Sequence, residues 1–256
     1  MKILKFKKQS KDKYKLYLDN NSDITLYEDV IIKNNLLITK EISDELLEAL
    51  KKQNNDMYAY TLALGYISVK MRSIKEINDY LIKKGFNNLV ANKVSERLIK
   101  EGYLNDLKYA KSFINDSMNL TNKGPQKIKM ELIKYGVNKD IIESEIALID
   151  QRKVEEKLNK LIDKELKIKK GSQNAIKIKI INHFVNLGYS KDLVTSILTG
   201  KEITSDKSKL KKDYEKLYNK YKVKYNGQEL LYFISQKLYS KGYTASDIKE
   251  VLKEEN

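Results

Sequence analysis

The sequence predicts a mainly α-helical protein, built of tandem three-helix repeats that stack on one another behind a small β-rich N-terminal extension. Proline occurs once in 256 residues, and a proline costs roughly 3 kcal/mol inside a helix, so long helices are unhindered. A glycine followed by a bulky apolar residue recurs four times at nearly constant spacing. Period-two alternation of apolar and polar residues, the mark of strands, is confined to the beginning of the chain.

Taken in order, Ile3-Leu4-Lys5-Phe6-Lys7 and Tyr14-Lys15-Leu16-Tyr17-Leu18 alternate, and Asp19-Asn20-Asn21-Ser22-Asp23 supplies turn residues before Ile24-Thr25-Leu26-Tyr27. These segments predict a small antiparallel sheet reaching to about residue 32 within an extension of residues 1–41. A connecting segment, 42–55, carries a short helix over Ser43 to Lys52 that ends in the polar Gln53-Asn54-Asn55. Four helical units follow, at 56–104, 105–151, 152–205 and 206–256.

The repeated glycines are Gly85, Gly136, Gly188 and Gly242, which stand 51, 52 and 54 residues apart. Four positions before them stand Leu81, Leu132, Phe184 and Leu238, and eight positions before them Ile77, Ile128, Ile180 and Ile234. A glycine just past a helix ends it by turning left-handed, because it has no Cβ to clash. The next residue then packs back on the helix, which pairs Phe86 with Leu81, Val137 with Leu132, Tyr189 with Phe184 and Tyr243 with Leu238. The isoleucines one turn earlier continue the buried stripe. A third helix restarts after each glycine, with Val90, Val94 and Leu98 as its apolar positions in the first unit. A longer helix opens each unit, near 56–68, 105–119, 152–169 and 206–222. One such triplet buries little surface alone, so neighbours must cover it.

Cap signals agree with these limits. Ser73-Ile74-Lys75-Glu76 has the form of a capping box, Thr244-Ala245-Ser246-Asp247 a looser one, and Pro125 sits where a helix start tolerates a missing N–H.

Lys and Arg number 50 against 35 Asp and Glu, a formal charge of +15, and such a balance points to a polyanionic partner, usually nucleic acid. Cysteine is absent, which removes disulfides, thiolate metal sites and cysteine nucleophiles. No run approaches the ~18 apolar residues of a membrane span, and the alternating Met1–Lys7 is no signal peptide, so a cytoplasmic protein without membrane contact is expected. His183 has no second histidine or cysteine to complete a catalytic or metal set, and a structural place on its helix is expected. Glu143, Glu145, Glu155 and Glu156 read as solvated helical surface, and no GxxxxGK[ST] or GxGxxG phosphate loop occurs. Catalysis, metal and cofactor are therefore not expected.

Three ordered motifs carry more than a fold. Arg72-Ser73-Ile74-Lys75-Glu76-Ile77 with Lys83-Lys84-Gly85-Phe86 resembles the RecX family opening RSxxEL…KKG, with isoleucine for leucine at 77. Gly102-Tyr103-Leu104-Asn105-Asp106-Leu107-Lys108-Tyr109-Ala110 resembles GYLDDxxFA, with Asn105 for aspartate and Tyr109 for phenylalanine. Lys123-Gly124-Pro125-Gln126-Lys127-Ile128-Lys129-Met130-Glu131-Leu132 with Lys134 and Gly136-Val137 resembles RGPxxIxxEL…KGV. The N-terminal stretch, with Tyr14–Leu18 and Glu28-Asp29-Val30-Ile31, is similar to the extension of RecX proteins from low-GC Gram-positive bacteria, whose longer members also carry further helical repeats. The likeness thus covers nearly the whole chain, residues 152–256 being the most divergent.

The resemblance implies an elongated, curved stack that binds in the helical groove of RecA filaments on single-stranded DNA. It implies restraint of strand exchange, ATP hydrolysis and co-protease activity, by occupancy and without a cofactor. Candidate contacts are Arg72, Lys75, Lys83 and Lys84 around the first unit's middle helix, and Lys123, Lys127, Lys129 and Lys134 around the second's. Lys84 also complements a helix C-terminus, and Tyr103 and Tyr109 are expected in the core. A monomer is expected. The main rival is a helical-repeat protein that binds DNA directly, since each glycine-centred turn superficially resembles a helix-turn-helix. A scaffold for another protein is a second rival.

Overall fold

A computed structural model describes residues 1–254. Strands β1 (Ile3–Lys8), β2 (Lys13–Leu18) and β3 (Asp23–Tyr27) form an antiparallel sheet in that order. Its register sets Leu16 opposite Phe6 on one side and Ile24 on the other, and Leu16 is wholly buried. The sheet does not reach residue 32. β3 stops at Tyr27, and Glu28–Lys33 forms helix α1, followed by the short α2 (Leu36–Thr39). Val30 and Ile31 are both buried, which adjacent strand residues on opposite faces would not achieve against one core. Glu28 and Asp29 also occupy the first helical turn, where the backbone dipole favours acids.

The connecting helix and the first helix of the first triplet are one 24-residue helix, α3 (Asp44–Ile67). Gln53-Asn54-Asn55, expected to break it, lie inside it, and the side chains of Gln53 and Asn54 bond to the sheet and the end of α1 instead. Asn54 Oδ1 accepts the Tyr27 N–H at 2.9 Å, Asn54 Nδ2 donates to the Thr25 carbonyl at 3.0 Å, and Gln53 accepts from Asn34 at 2.8 Å.

The rest is helical: α4 (Ile74–Lys83), α5 (Asn88–Lys100), α6 (Asp106–Leu120), α7 (Pro125–Lys134), α8 (Lys139–Ala147), α9 (Gln151–Ile168), α10 (Gln173–Asn186), α11 (Lys191–Thr199), α12 (Lys207–Tyr221), α13 (Gly227–Ser240) and α14 (Ala245–Glu254). The chain forms two compact units, Met1–Ala110 with Ile133–Ile141, and Lys111–Leu132 with the chain from Ile142 onward. α6, α7 and α8 of the second triplet each contribute residues to both.

The glycine stripe folds as the spacing predicts. Ile77, Ile128, Ile180, Ile234, Leu81, Leu132, Phe184 and Leu238 are all 1% exposed or less. Gly85, Gly136, Gly188 and Gly242 take φ of +93°, +76°, +91° and +86°. The residue after the glycine donates its N–H back across the turn, Phe86 to Leu81 at 3.2 Å, Tyr189 to Phe184 at 3.0 Å and Tyr243 to Leu238 at 3.3 Å. Both cap signals are real: Ser73 and Glu76 exchange bonds of 3.1 and 3.0 Å, and Thr244 and Asp247 exchange two of 3.1 Å.

Within each unit the glycine turn of one triplet sits on the N-terminus of the preceding triplet's middle helix. In the first unit Ser73 Oγ donates to the Tyr135 carbonyl at 2.6 Å, and the Gly136 Cα faces the Lys75 side chain. In the second unit Gly124 N–H donates to the Leu187 carbonyl at 2.7 Å and Gln126 N–H to the Gly188 carbonyl at 3.0 Å. Further along that unit Ser172 Oγ donates to the Lys241 carbonyl at 2.6 Å. The next helix start completes each seat: Asp106 accepts the Ile74 N–H at 2.9 Å and Ser205 accepts the Gln173 N–H at 3.1 Å. Pro125, at the corresponding position of α7, has no N–H to satisfy.

Candidate functional site: two lysine-lined surfaces

In the first unit, the end of α3, one face of α4 and residues 134–135 border a hollow of about 230 Å³. Lys75, Lys83 and Lys134 line it together with Tyr66, Tyr80 and Tyr135. Lysines from both expected groups thus meet in one place. The Tyr66 and Tyr80 rings stack at 4.2 Å with 11° between planes, and the Arg72 guanidinium lies 3.7 Å from the Tyr66 centroid. Arg72 also pairs with Glu76 at 3.2 Å, and its side chain is only 11% exposed. Arg72 is thereby held as a structural clamp, with its buried Nε unpaired by any described residue. Lys75 Nζ lies 3.3 Å from Asp79 and donates to the Lys134 carbonyl at 3.3 Å. Lys83 and Lys84 are exposed, Lys84 lying over the Tyr80 ring at 5.6 Å.

The remaining expected lysines lie in the second unit and differ among themselves. Lys123 is half-buried and pairs with Glu131 at 2.5 Å, while Lys129 pairs with Glu143 at 2.5 Å. Lys127 lends its backbone to the seat beneath Gly188 and keeps its side chain exposed.

A further, wider concavity is one the expected residues did not include. α6, α9 and residues 145–150 border a groove of about 690 Å³ in the second unit. Lys111, Lys153, Lys157, Lys160 and Lys164 line it, with Asn115 and Asn119 alongside. The four α9 lysines stand at helical spacings of 4, 3 and 4 residues and so share one face. Lys157 is the anchored one. Its Nζ donates to the Met118 carbonyl at 2.7 Å and the Lys123 carbonyl at 3.4 Å, near the C-terminus of α6, where a cation is favoured. Burial pushes its pKa down. Lys111 lies 3.7 Å from Glu145, whereas Lys153, Lys160 and Lys164 are exposed. The spacing was visible in the sequence; that a second helix makes it a groove was not.

Tyr109 is buried as expected, and burial first, then the nearby Glu76, push its hydroxyl pKa far above the usual range. Tyr103 is 55% exposed, contrary to expectation. Gly102, at φ +80°, turns the chain so that Leu104 enters the core in its place. His183 is exposed, its ring meeting Phe184 edge-on at 5.0 Å. Among the described residues no group of three His, Cys, Asp or Glu is placed to hold a metal, and no helix is long and apolar enough to cross a membrane.

Fold and surfaces together define a helical-repeat protein that displays lysine-lined concavities. Residues 59–98 match the family model for the first three-helix domain of RecX, and residues 105–144 the model for the second. A regulatory protein RecX of Streptococcus uberis is 36% identical over 99% of both chains, and one of Streptococcus agalactiae is 33% identical over 99% of both. A crystal structure of regulatory protein RecX superposes with a TM-score of 0.68 at 22% identity, over 77% of this chain and 98% of that one. The chain belongs to the RecX family of regulatory proteins.

Proposed function

We propose that this protein binds RecA filaments on single-stranded DNA and restrains strand exchange, ATP hydrolysis and co-protease activity by occupying the filament's helical groove. The reading rests on the full-length likeness to proteins named regulatory protein RecX, which includes the N-terminal sheet and the last two triplets. It acts in the cytoplasm as a binding protein, with neither catalytic residue nor cofactor. Arg72, Lys123 and Lys129 are held in partly buried pairs, so the contacts fall to Lys83, Lys84, Lys127 and Lys134 and to Lys75, whose pair with Asp79 is solvent-exposed, joined by Lys153, Lys160 and Lys164 of the α6–α9 groove. Long cations on a rigid helix suit acidic protein and phosphate oxygens alike.

The test is RecA ATPase on single-stranded DNA with increasing amounts of this protein. A fall approaching completion at stoichiometric amounts is expected, and unchanged turnover with filaments confirmed present would defeat the assignment. The α6–α9 groove also favours the rival, direct binding to DNA. A salt titration separates the two: each released phosphate contact contributes about −0.9 to the slope of log affinity against log salt. If bare DNA binds as tightly as RecA-coated DNA, the rival stands.

A further inference from the structure

The three seated glycine turns share one construction, and the chain carries both halves of a fourth that it does not assemble. In each complete seat the carbonyl before the glycine accepts from the cap of the preceding triplet's middle helix: Tyr135 from Ser73, Leu187 from Gly124, Lys241 from Ser172. Contact is close enough that a Cβ built on Gly136, Gly188 or Gly242 would fall 2.5, 2.6 or 2.9 Å from Lys75 Cδ, Lys127 Cβ or Asn174 Cβ. The caps are correspondingly buried, Ser73 to 0% and Ser172 to 2% exposure.

Gly85 makes the same left-handed turn, yet a Cβ there would meet nothing within 4 Å. The first triplet has no triplet before it to sit on. At the other end, no glycine turn among the described residues lies on the first turn of α13. Asn226 through Glu229 are exposed, no side chain caps the helix, and a Cβ on Gly227 would likewise meet nothing within 4 Å. α13 is the fourth triplet's middle helix, the element that receives a turn in each of the other three.

We propose that these two open halves join between copies of this chain, the Gly85 turn of one molecule seating on the α13 N-terminus of the next. The occupant is a second copy because the same pairing of glycine turn and helix start already exists three times inside the chain, with a serine hydroxyl as donor twice and, at Gly124, a backbone N–H such as Asn226 also offers. In the new joint the Lys84 carbonyl takes the place of Tyr135, Leu187 and Lys241, and the Gln228 N–H that of the Gln126 N–H. Such a head-to-tail contact does not close on itself, so it makes open rows rather than a symmetric dimer. It is small, and the chain is monomeric when dilute. Molecules held side by side on a polymer would meet at high effective concentration, which is where a small contact counts. Lysines flank both halves, Lys83 and Lys84 at the turn and Lys222 and Lys224 before α13, so added salt strengthens this contact while it weakens any held by phosphates. The joint goes beyond the RecA reading and stands or falls without it.

The absence of native cysteine makes the test direct. Lys84→Cys and Gln228→Cys change exposed residues, and the two full-length variants are mixed with a short bifunctional maleimide, without RecA or DNA. The mixture is expected to cross-link about tenfold faster than either variant alone or than Gln228→Cys mixed with the exposed control Lys5→Cys, and faster still as salt is raised. A rate equal to the control overturns the joint. So does Lys84→Cys linking to itself as fast as the mixture, which would mean a symmetric contact.

Discussion

Gly85 and Gly188 end their helices in the same way and then differ in everything else. Both are left-handed, at φ +93° and +91°, and both are followed by an aromatic residue whose N–H returns to the helix. Gly85 is exposed, with open space where a Cβ would stand, whereas Gly188 is buried against the backbone of Gly124 and Lys127. One sequence signal therefore does two jobs. Stopping the helix is local and occurs in all four triplets; carrying the next triplet requires a neighbour and occurs in three. The first triplet is joined instead to the sheet, through the unbroken α3.

The sharpest way to break this comparison is to give both glycines a side chain. Gly188→Ala meets left-handed strain of about 1–2 kcal/mol and, in addition, overpacking of about 1–3 kcal/mol against backbone that cannot turn aside. Gly85→Ala meets the strain alone. Gly136→Ala should fall between, because its close contacts are all with the Lys75 side chain, whose Cδ can turn aside although its Cβ cannot. Urea unfolding of the three variants gives the order, and equal losses at 85 and 188 would remove the distinction between seated and open turns.

A smaller effect is expected at the caps. Ser172→Ala deletes both the bond to the Ala175 N–H and the donor to the Lys241 carbonyl, for a loss of about 2 kcal/mol. Ser73→Ala should behave alike. Asn226→Ala, at the open end and without a side-chain cap bond, should change the unfolding midpoint little. A loss at Asn226 matching that at Ser172 would show that the α13 terminus is not the unfilled seat it resembles.

The same division between local and tertiary causes explains what could be read in the sequence. The glycines, the isoleucines eight residues before them and the two capping signals are local, and each lies where its spacing places it. Gln53-Asn54-Asn55 looked like a break because polar residues favour turns; their bonds to the sheet edge and α1 come from residues 19–29 positions away, which no helical window contains. Lys123 and Lys129 looked like free cations because their counter-ions, Glu131 and Glu143, are recognised only once the helices are placed, whereas the Arg72 partner Glu76 stands just four residues on and was already legible. The α6–α9 groove was invisible for the complementary reason. Its lysines could be counted along α9, but the concavity belongs to two helices whose approach is set by packing.

The smallest expected effect concerns acid, and it has opposite signs at Asp106 of the first unit and at two aspartates of the fourth triplet. In the fourth triplet, burial alone would raise the Asp213 pKa, yet bonds from Lys241 and Tyr243, both at 2.8 Å, outweigh it and hold the carboxyl below its ordinary value. Asp247 is likewise lowered against the pull of burial, by Ser205 and Thr244. In the first unit Asp106 is raised: burial prevails over the Ile74 N–H bond, and Glu76 adds repulsion. A depressed aspartate stabilises the fold above its unfolded pKa of about 3.9 and loses that contribution as pH falls through the folded value. A raised one penalises the fold while ionised, and acidification through its folded pKa relieves the penalty. Lowering the pH from 6 toward 3 should therefore loosen α13 and α14 before the start of α4, as read by hydrogen exchange corrected for the intrinsic rate. Asp106→Asn keeps an acceptor for the Ile74 N–H without the charge, so it should leave the fold slightly more stable at neutral pH and flatten the first unit's acid response. An α4 start that loosens with acid as early as the fourth triplet would mean that Asp106 is held by its hydrogen bond rather than penalised by burial.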